Sequence, residues 1–244
     1  MMIFHHRQKN ITSIIPKLFI NNSAIERVTE FNFLGTVIDE SLTWNSHIQK
    51  ISSKIARVIG VLNRLKRFLP CNILKLIYSA LIQPHLNFGV LLWGINTKRI
   101  LKLQKWAMRA ITSSKYNAHA DPLFKRLNIL KIDDIYKLSA LKFYYKYSKD
   151  QLPRSFHGFL DPITLNHTYQ TRNRNVPLHP VPKSVLAKST IRYTIPDLLA
   201  STPSCILDKI DTHSMQGFSL YAKKYLISQY RESCNINGCY ICNK

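Results

Sequence analysis

The 244-residue sequence predicts a mostly α-helical protein with a small N-terminal β-region. Three observations carry that prediction. From Trp44 onward, apolar residues recur at spacings of three and four, the period of an amphipathic helix. The first forty residues instead hold short apolar runs parted by turn residues, such as Lys17 to Ile20 before Asn21-Asn22. Prolines gather late, seven of the eleven lying between Gln151 and Pro203, where no helical period is read.

The elements follow in order. Within residues 1–40, Met2-Ile3-Phe4 and Lys17 to Ile20 read as strand segments, Asn21-Asn22 as a tight turn, and Ala24 to Val28 and Phe31 to Ile38 as further strands at hairpin spacing. Residues 41–150 read as helical. From Trp44 to Leu69 the residues Ile48, Ile51, Ile55, Val58, Ile59, Leu62, Leu65 and Leu69 build one apolar face; Thr43 or Asn45 is the expected N-cap, and Pro70 marks the end. Asn72 is the expected cap of a helix over Ile73 to Ile82. The apolar stretch Ile73 to Ile95 is long enough to raise a membrane span. Lys75, Gln83, Pro84, His85 and Asn87 interrupt it, so a core helix broken at Pro84 is expected and no membrane partner. A further helix covers Lys98 to Ser113, with Ile100, Leu103, Ala107, Ala110 and Ile111 inward. Asp121-Pro122 opens a short helix through Leu127, and Asp133 caps one over Ile135 to Ser148, whose many aromatics suit burial on several sides. Residues 151–203 read as an extended, proline-rich strap. Residues 204–244 return to a helix, Gly217 to Tyr230, with Phe218, Tyr221, Ala222, Tyr225 and Leu226 on one side, before a cysteine-rich tail.

Charge bounds the function classes. Thirty-five Lys and Arg against 13 Asp and Glu give a formal charge of +22, while 45% hydrophobic residues exclude wholesale disorder. A body so charged calls for polyanionic company. From Ser41 to Ala120 there is no Asp or Glu at all, yet thirteen basic residues. At about 100° per residue, Lys50, Lys54, Arg57 and Arg64 form a stripe roughly 120° round from the apolar face of their helix. Lys98, Lys102, Lys105 and Arg109 repeat the device at i, i+4, i+7 and i+11. A solvated face normally mixes signs, because i,i+4 pairs of opposite charge stabilise it. Two stripes without counter-charge point to a surface for nucleic-acid phosphates. Seven glycines and no G-x-G-x-x-G or G-x-x-x-x-G-K pattern argue against a phosphate-cradling loop. The start MMIFHHRQK turns polar after four residues and is not read as a secretory signal; with five cysteines this implies reduced thiols and an intracellular setting, cytoplasm and nucleus. Cys234, Cys239 and Cys242 crowd three thiols into the tail. Zinc requires a fourth ligand, for which Cys205 and His213 are the candidates, so reduced thiols or a truncated knuckle are expected here rather than a metal, with a zinc knuckle as the alternative.

Phe31-Asn32-Phe33-Leu34-Gly35-Thr36-Val37-Ile38-Asp39, then Leu42-Thr43-Trp44-Asn45-Ser46-His47-Ile48, resembles the segment after the catalytic palm of jockey-like non-LTR retrotransposon reverse transcriptases. The resemblance runs on through Leu76-Ile77-Tyr78, Pro84 to Gly89, Trp93-Gly94, Leu103-Gln104 and Phe143 to Lys146, to about residue 230. It implies that residues 1–40 are a palm remnant with the primer-grip hairpin, Phe33, Leu34 and Gly35 holding a primer's 3′ end. It implies that residues 41–150 are a thumb gripping template–primer, an RNA or RNA–DNA hybrid. Nucleotidyl transfer by that family needs two Mg2+ ions held by palm aspartates. Asp133-Asp134, the one Asp-Asp pair, stands after the grip and outside any hairpin, so it reads as a helix cap. The expectation is therefore a fragment of an RNA-directed DNA polymerase, inactive alone, holding no cofactor itself and completed by the fingers and palm of its polyprotein. The alternative is a domesticated or remnant basic nucleic-acid-binding or interaction protein without a polymerase role.

Overall fold

The computed structural model describes residues 1–5, 18–160 and 185–232. The chain divides into two compact units, Met1–Lys54 and Ile55–Lys244.

In the first unit, β1 (Phe19–Ile20) and β2 (Ser23–Ala24) pair antiparallel around Asn21 and Asn22, whose φ angles of 49° and 60° are left-handed. Asparagine tolerates that region, as the sequence expectation required. A second hairpin joins β3 (Glu30–Phe33) to β4 (Thr36–Asp39), with Phe33 opposite Thr36 across the turn Leu34-Gly35. The segment Phe31 to Ile38 is thus two strands and a turn, because two successive positive φ angles, 47° and 90°, fold it back on itself. Strand pairing in the Ala24 to Val28 region is limited to Ser23–Ala24. Met2 to Phe4 form no strand; the neighbouring Met1 carbonyl accepts from Val28 N–H at 2.9 Å instead.

Helix α1 (Asn45–Leu65) starts where the Asp39 carboxylate accepts the N–H of Thr43 at 2.7 Å. Trp44 stands at the N-cap position, and the hydroxyl of Thr43 before it accepts from Asn45 N–H at 3.4 Å, so neither Thr43 nor Asn45 is itself the cap. Ile48 and Ile51 of α1 are buried in the first unit, and Ile55, Ile59 and Leu62 in the second.

The second unit is helical. After Pro70 come α2 (Cys71–Leu81), α3 (Gln83–Asn87), α4 (Val90–Trp93), α5 (Lys98–Ile111), α6 (Ala120–Leu127) and α7 (Ile132–Ser148). A 3-10 turn at Arg154–Phe156 precedes α8 (Val185–Lys188), α9 (Ile191–Ser201), α10 (Ser204–Leu207), α11 (Lys209–Thr212) and α12 (Met215–Ser228). Helix α7 is the hub, packing against α3, α4, α5, α9 and α12. Several starts differ from expectation. Pro70, His119 and Lys131 take the N-cap positions of α2, α6 and α7, so Asn72, Asp121 and Asp133 lie inside first turns. The strap reading of 151–203 is overturned at its C-terminal end, where α9 is an eleven-residue helix with Pro196 buried inside it. Tyr221 of α12 is 40% exposed, outside the face formed by Phe218, Ala222 and Leu226.

Two polar joints fix the packing. Gln104, wholly buried, donates to the Tyr78 hydroxyl at 2.9 Å and the Leu130 carbonyl at 3.2 Å, and accepts from Ile132 N–H at 2.7 Å. A buried amide so satisfied costs little to desolvate and fixes the mutual register of α2, α5 and α7. Tyr230 donates to Asp134, accepts from Lys131 N–H at 3.0 Å and lies under the Lys131 ammonium at 4.3 Å. Burial and the Asp134 carboxylate push its phenol pKa up, so it stays a donor. Gly94 closes α4 where a Cβ would stand 2.4 Å from the Val90 carbonyl oxygen and 2.8 Å from the Tyr136 ring. No helix among the described residues is long and apolar enough to cross a membrane.

Candidate nucleic-acid interface

The first unit presents the Leu34-Gly35 turn. Phe33 is 55% and Leu34 79% exposed, so the tip is an apolar prow in solvent. Gly35, at φ 90°, serves the turn itself. The base of the hairpin is held to α1 by His47, whose Nδ1 accepts the Val37 N–H at 3.2 Å, and by the Ser46 hydroxyl, which donates to Glu30. Burial, followed by the charges of Lys50 and Lys54, lowers the His47 pKa and keeps the ring neutral for that bond.

On α1, Lys50 and Lys54 are half-buried along their stems and Arg57 and Arg64 are exposed. On α5, Lys98 and Lys102 are exposed and Lys105 half-buried. Lys102 sits 5.5 Å from the Trp106 ring centre, which steadies its ammonium in water. The ion pairs of Glu40, Asp121, Asp134, Asp211 and Glu232 take their cations from outside residues 41–120: His5, Arg27, Lys125, Lys131, Lys137 and Lys149. Lys50, Lys54, Lys98, Lys102 and Lys105 therefore keep their charge for something other than those carboxylates.

Arg109 departs from the expected pattern. Its Nε donates to the Ala118 carbonyl at 2.9 Å, and burial lowers its pKa. Rather than lying wholly free along the stripe, it braces the loop after α5, on which Tyr116 is 79% exposed. Residue types gave no signal for this, since the bond closes a loop by tertiary geometry. Asp133 and Asp134 do not suit a catalytic metal: Thr97 donates to Asp133, while Tyr230 and Lys137 occupy Asp134. Among the described residues, no group of His, Cys, Asp and Glu side chains could hold a metal ion. Cys234, Cys239 and Cys242 lie outside the described residues.

No protein-family model matches the chain, and no solved structure matches it. Over 134 residues it is 24% identical to the probable RNA-directed DNA polymerase from transposon BS of Drosophila melanogaster, covering 52% of this chain and 15% of that protein. Identity to the fly's probable RNA-directed DNA polymerase from transposon X-element is 22% over 182 residues, 71% of this chain and 19% of that protein. It is 27% over 143 residues for the RNA-directed DNA polymerase from mobile element jockey of the same fly, 55% of this chain and 15% of that protein. The chain is similar to RNA-directed DNA polymerases of jockey-like and other non-LTR retrotransposons. It spans only 15 to 19% of the length of these retrotransposon polymerases. An uncharacterized Caenorhabditis elegans protein, B0403.1, is 26% identical over 102 residues, 42% of this chain and 48% of that protein.

Proposed function

We propose that this chain contributes template–primer binding to a retrotransposon reverse transcriptase, with nucleotidyl transfer carried out on Mg2+ by palm aspartates elsewhere in a longer polyprotein. The observation that carries the reading is the pair of stripes on α1 and α5, whose lysines have no carboxylate partner among the described residues. Phosphate tracking needs such faces and no base-reading chemistry. In this reading Lys50, Lys54, Arg57 and Arg64 follow one stretch of backbone and Lys98, Lys102 and Lys105 another. Phe33, Leu34 and Gly35 serve as the primer grip. The protein meets its RNA or RNA–DNA hybrid inside the cell, in cytoplasm and nucleus, with fingers and palm as its partners.

Support for the grip comes from the Leu34 backbone. Leucine at φ 47° costs about 1 kcal/mol or more, and its side chain rests in water. A turn of this kind is best served by Asn-Gly, so an exposed leucine there suits a contact with a ligand better than it suits the hairpin.

Filter-binding titrations of an RNA–DNA hybrid over a range of salt test the proposal. Affinity should fall steeply with salt, and Lys98→Ala/Lys102→Ala/Lys105→Ala should reduce the log–log slope by about two to three. A flat salt dependence, or a slope unchanged in the triple variant, overturns it.

A further inference from the structure

A second cationic site lies in the helical unit, away from both stripes in sequence and built from three other elements. Lys75 of α2, Lys142 of α7 and Lys223 of α12 line one recess of about 400 Å³. Ser79, Ser139 and Ser219 line it too, and no carboxylate does. None of the three lysines has an ion-pair partner among the described residues. Lys142 is half-buried, and burial together with the charges of Lys146 and Lys223 lowers its pKa, so these ammonium groups repel one another at close range. The fold brings them together from residues 75, 142 and 223, each carried on a face that also packs the core. Such a convergence costs stability unless an anion occupies it.

The recess does not end there. It shares Asn87, Ser139, Lys142 and Ser219 with an adjoining trough of about 790 Å³. That trough is walled by Val90, Phe143, Leu152, Met215 and Leu220, with Lys146 at its side. A cationic, hydroxyl-lined recess thus opens directly onto an apolar one. We propose that this composite groove binds single-stranded polynucleotide, with backbone phosphates on Lys75, Lys142 and Lys223 and unpaired bases in the trough beside Phe143. A phosphate and an apolar base face alternate along a single strand at that same short range, whereas a duplex buries its base faces in its own stack and offers the trough nothing. The serine hydroxyls and the Asn87 amide supply neutral donors for phosphate and base edges without sequence preference. The inference goes beyond the duplex-binding role of α1 and α5 and stands on different residues.

The test is fluorescence anisotropy of the whole 244-residue chain with a labelled oligouridylate of about twelve nucleotides, a length within common single-strand site sizes. The double variant Lys142→Met/Lys223→Met keeps the buried methylenes and removes the charges, so it should remain folded by circular dichroism. It should bind the single strand about tenfold more weakly, as expected on losing two phosphate contacts, while a blunt RNA–DNA hybrid changes less than twofold. Lys98→Ala/Lys102→Ala/Lys105→Ala should show the reverse preference. An abasic oligomer of the same length should bind more weakly than oligouridylate. Unchanged single-strand affinity in the double variant overturns the proposal, as does equal affinity for the abasic oligomer. Loss confined to phosphatidylserine vesicles, with oligouridylate unaffected, overturns it in favour of a lipid headgroup. If wild type ignores the hybrid yet loses the single strand on Lys142→Met/Lys223→Met, the duplex reading falls and this one stands.

Discussion

His47 is 2% exposed, and its Nδ1 accepts the Val37 N–H at 3.2 Å. Only a neutral ring protonated on Nε2 can accept there. Because burial and then Lys50 and Lys54 hold its pKa below the ordinary 6.5, the folded chain refuses a proton that the unfolded chain takes. Its contribution is therefore complete above pH 6.5 and is lost as pH falls through the lowered folded value. Urea titrations at about pH 7.5 and 5.5 should show wild type losing more stability than His47→Gln, which has no ring to protonate. An equal loss in both would show that the histidine has no part in the acid response. Leu34, held in the left-handed region at the hairpin tip, predicts a trade. Leu34→Asn relieves the left-handed leucine and should raise stability by about 0.5–1 kcal/mol in the same titrations, while weakening hybrid binding by removal of the apolar tip. A variant that is stabilised yet binds hybrid unchanged would remove Leu34 from the grip.

Helix α1 runs its length with a glycine in the middle, Gly60, whose added Cβ would meet nothing within 4 Å. Gly60→Ala should stabilise the chain by about 1 kcal/mol, since alanine restricts the unfolded backbone more and fits the helix better. Hybrid affinity should stay within about twofold, because a methyl beside the stripe displaces no charge; a larger loss would mean that the ligand's backbone passes close over Gly60. The legibility of the elements follows the same local physics. Helices α1 and α5 could be read because a strict 3.6-residue period and an acid-free stripe are both written in neighbouring residues. Their charged faces came with them, since a stripe on one helix is a matter of spacing alone. Helix starts were misplaced where Asn72, Asp121 and Asp133 drew attention as cap formers, although Pro70, His119 and Lys131 stand at the caps. Helix α9 was hidden by Pro196, a residue that signals a helix break, although the structure carries it buried inside the helix. Arg109 bonding Ala118, and Lys75, Lys142 and Lys223 meeting in one recess, had no local signature. They depend on which turns of which helices face each other.

Across the whole molecule, 35 basic residues face 13 acidic ones, and Glu40, Asp121, Asp134, Asp211 and Glu232 pair with cations outside the acid-free stretch. Repulsion among the remaining cations opposes the compact state, and added salt screens it beyond about 10 Å at 0.1 M. The free protein should therefore melt at higher temperature as sodium chloride rises. A bound polyanion acts through mass action instead, stabilising the folded chain by about 2.7 kcal/mol at a hundredfold excess over its dissociation constant. For a chain of this length that corresponds to a shift of about 5–10 °C. Salt weakens this second effect, since each phosphate contact releases counterions less favourably into a concentrated solution. Calorimetric scans with and without an RNA–DNA hybrid should thus converge: the free melting temperature climbs with salt while the increment from hybrid shrinks. Parallel curves would mean that the hybrid is held by contacts other than charge, and a melting temperature of the free chain that falls with salt would mean that its cations are already neutralised within the fold.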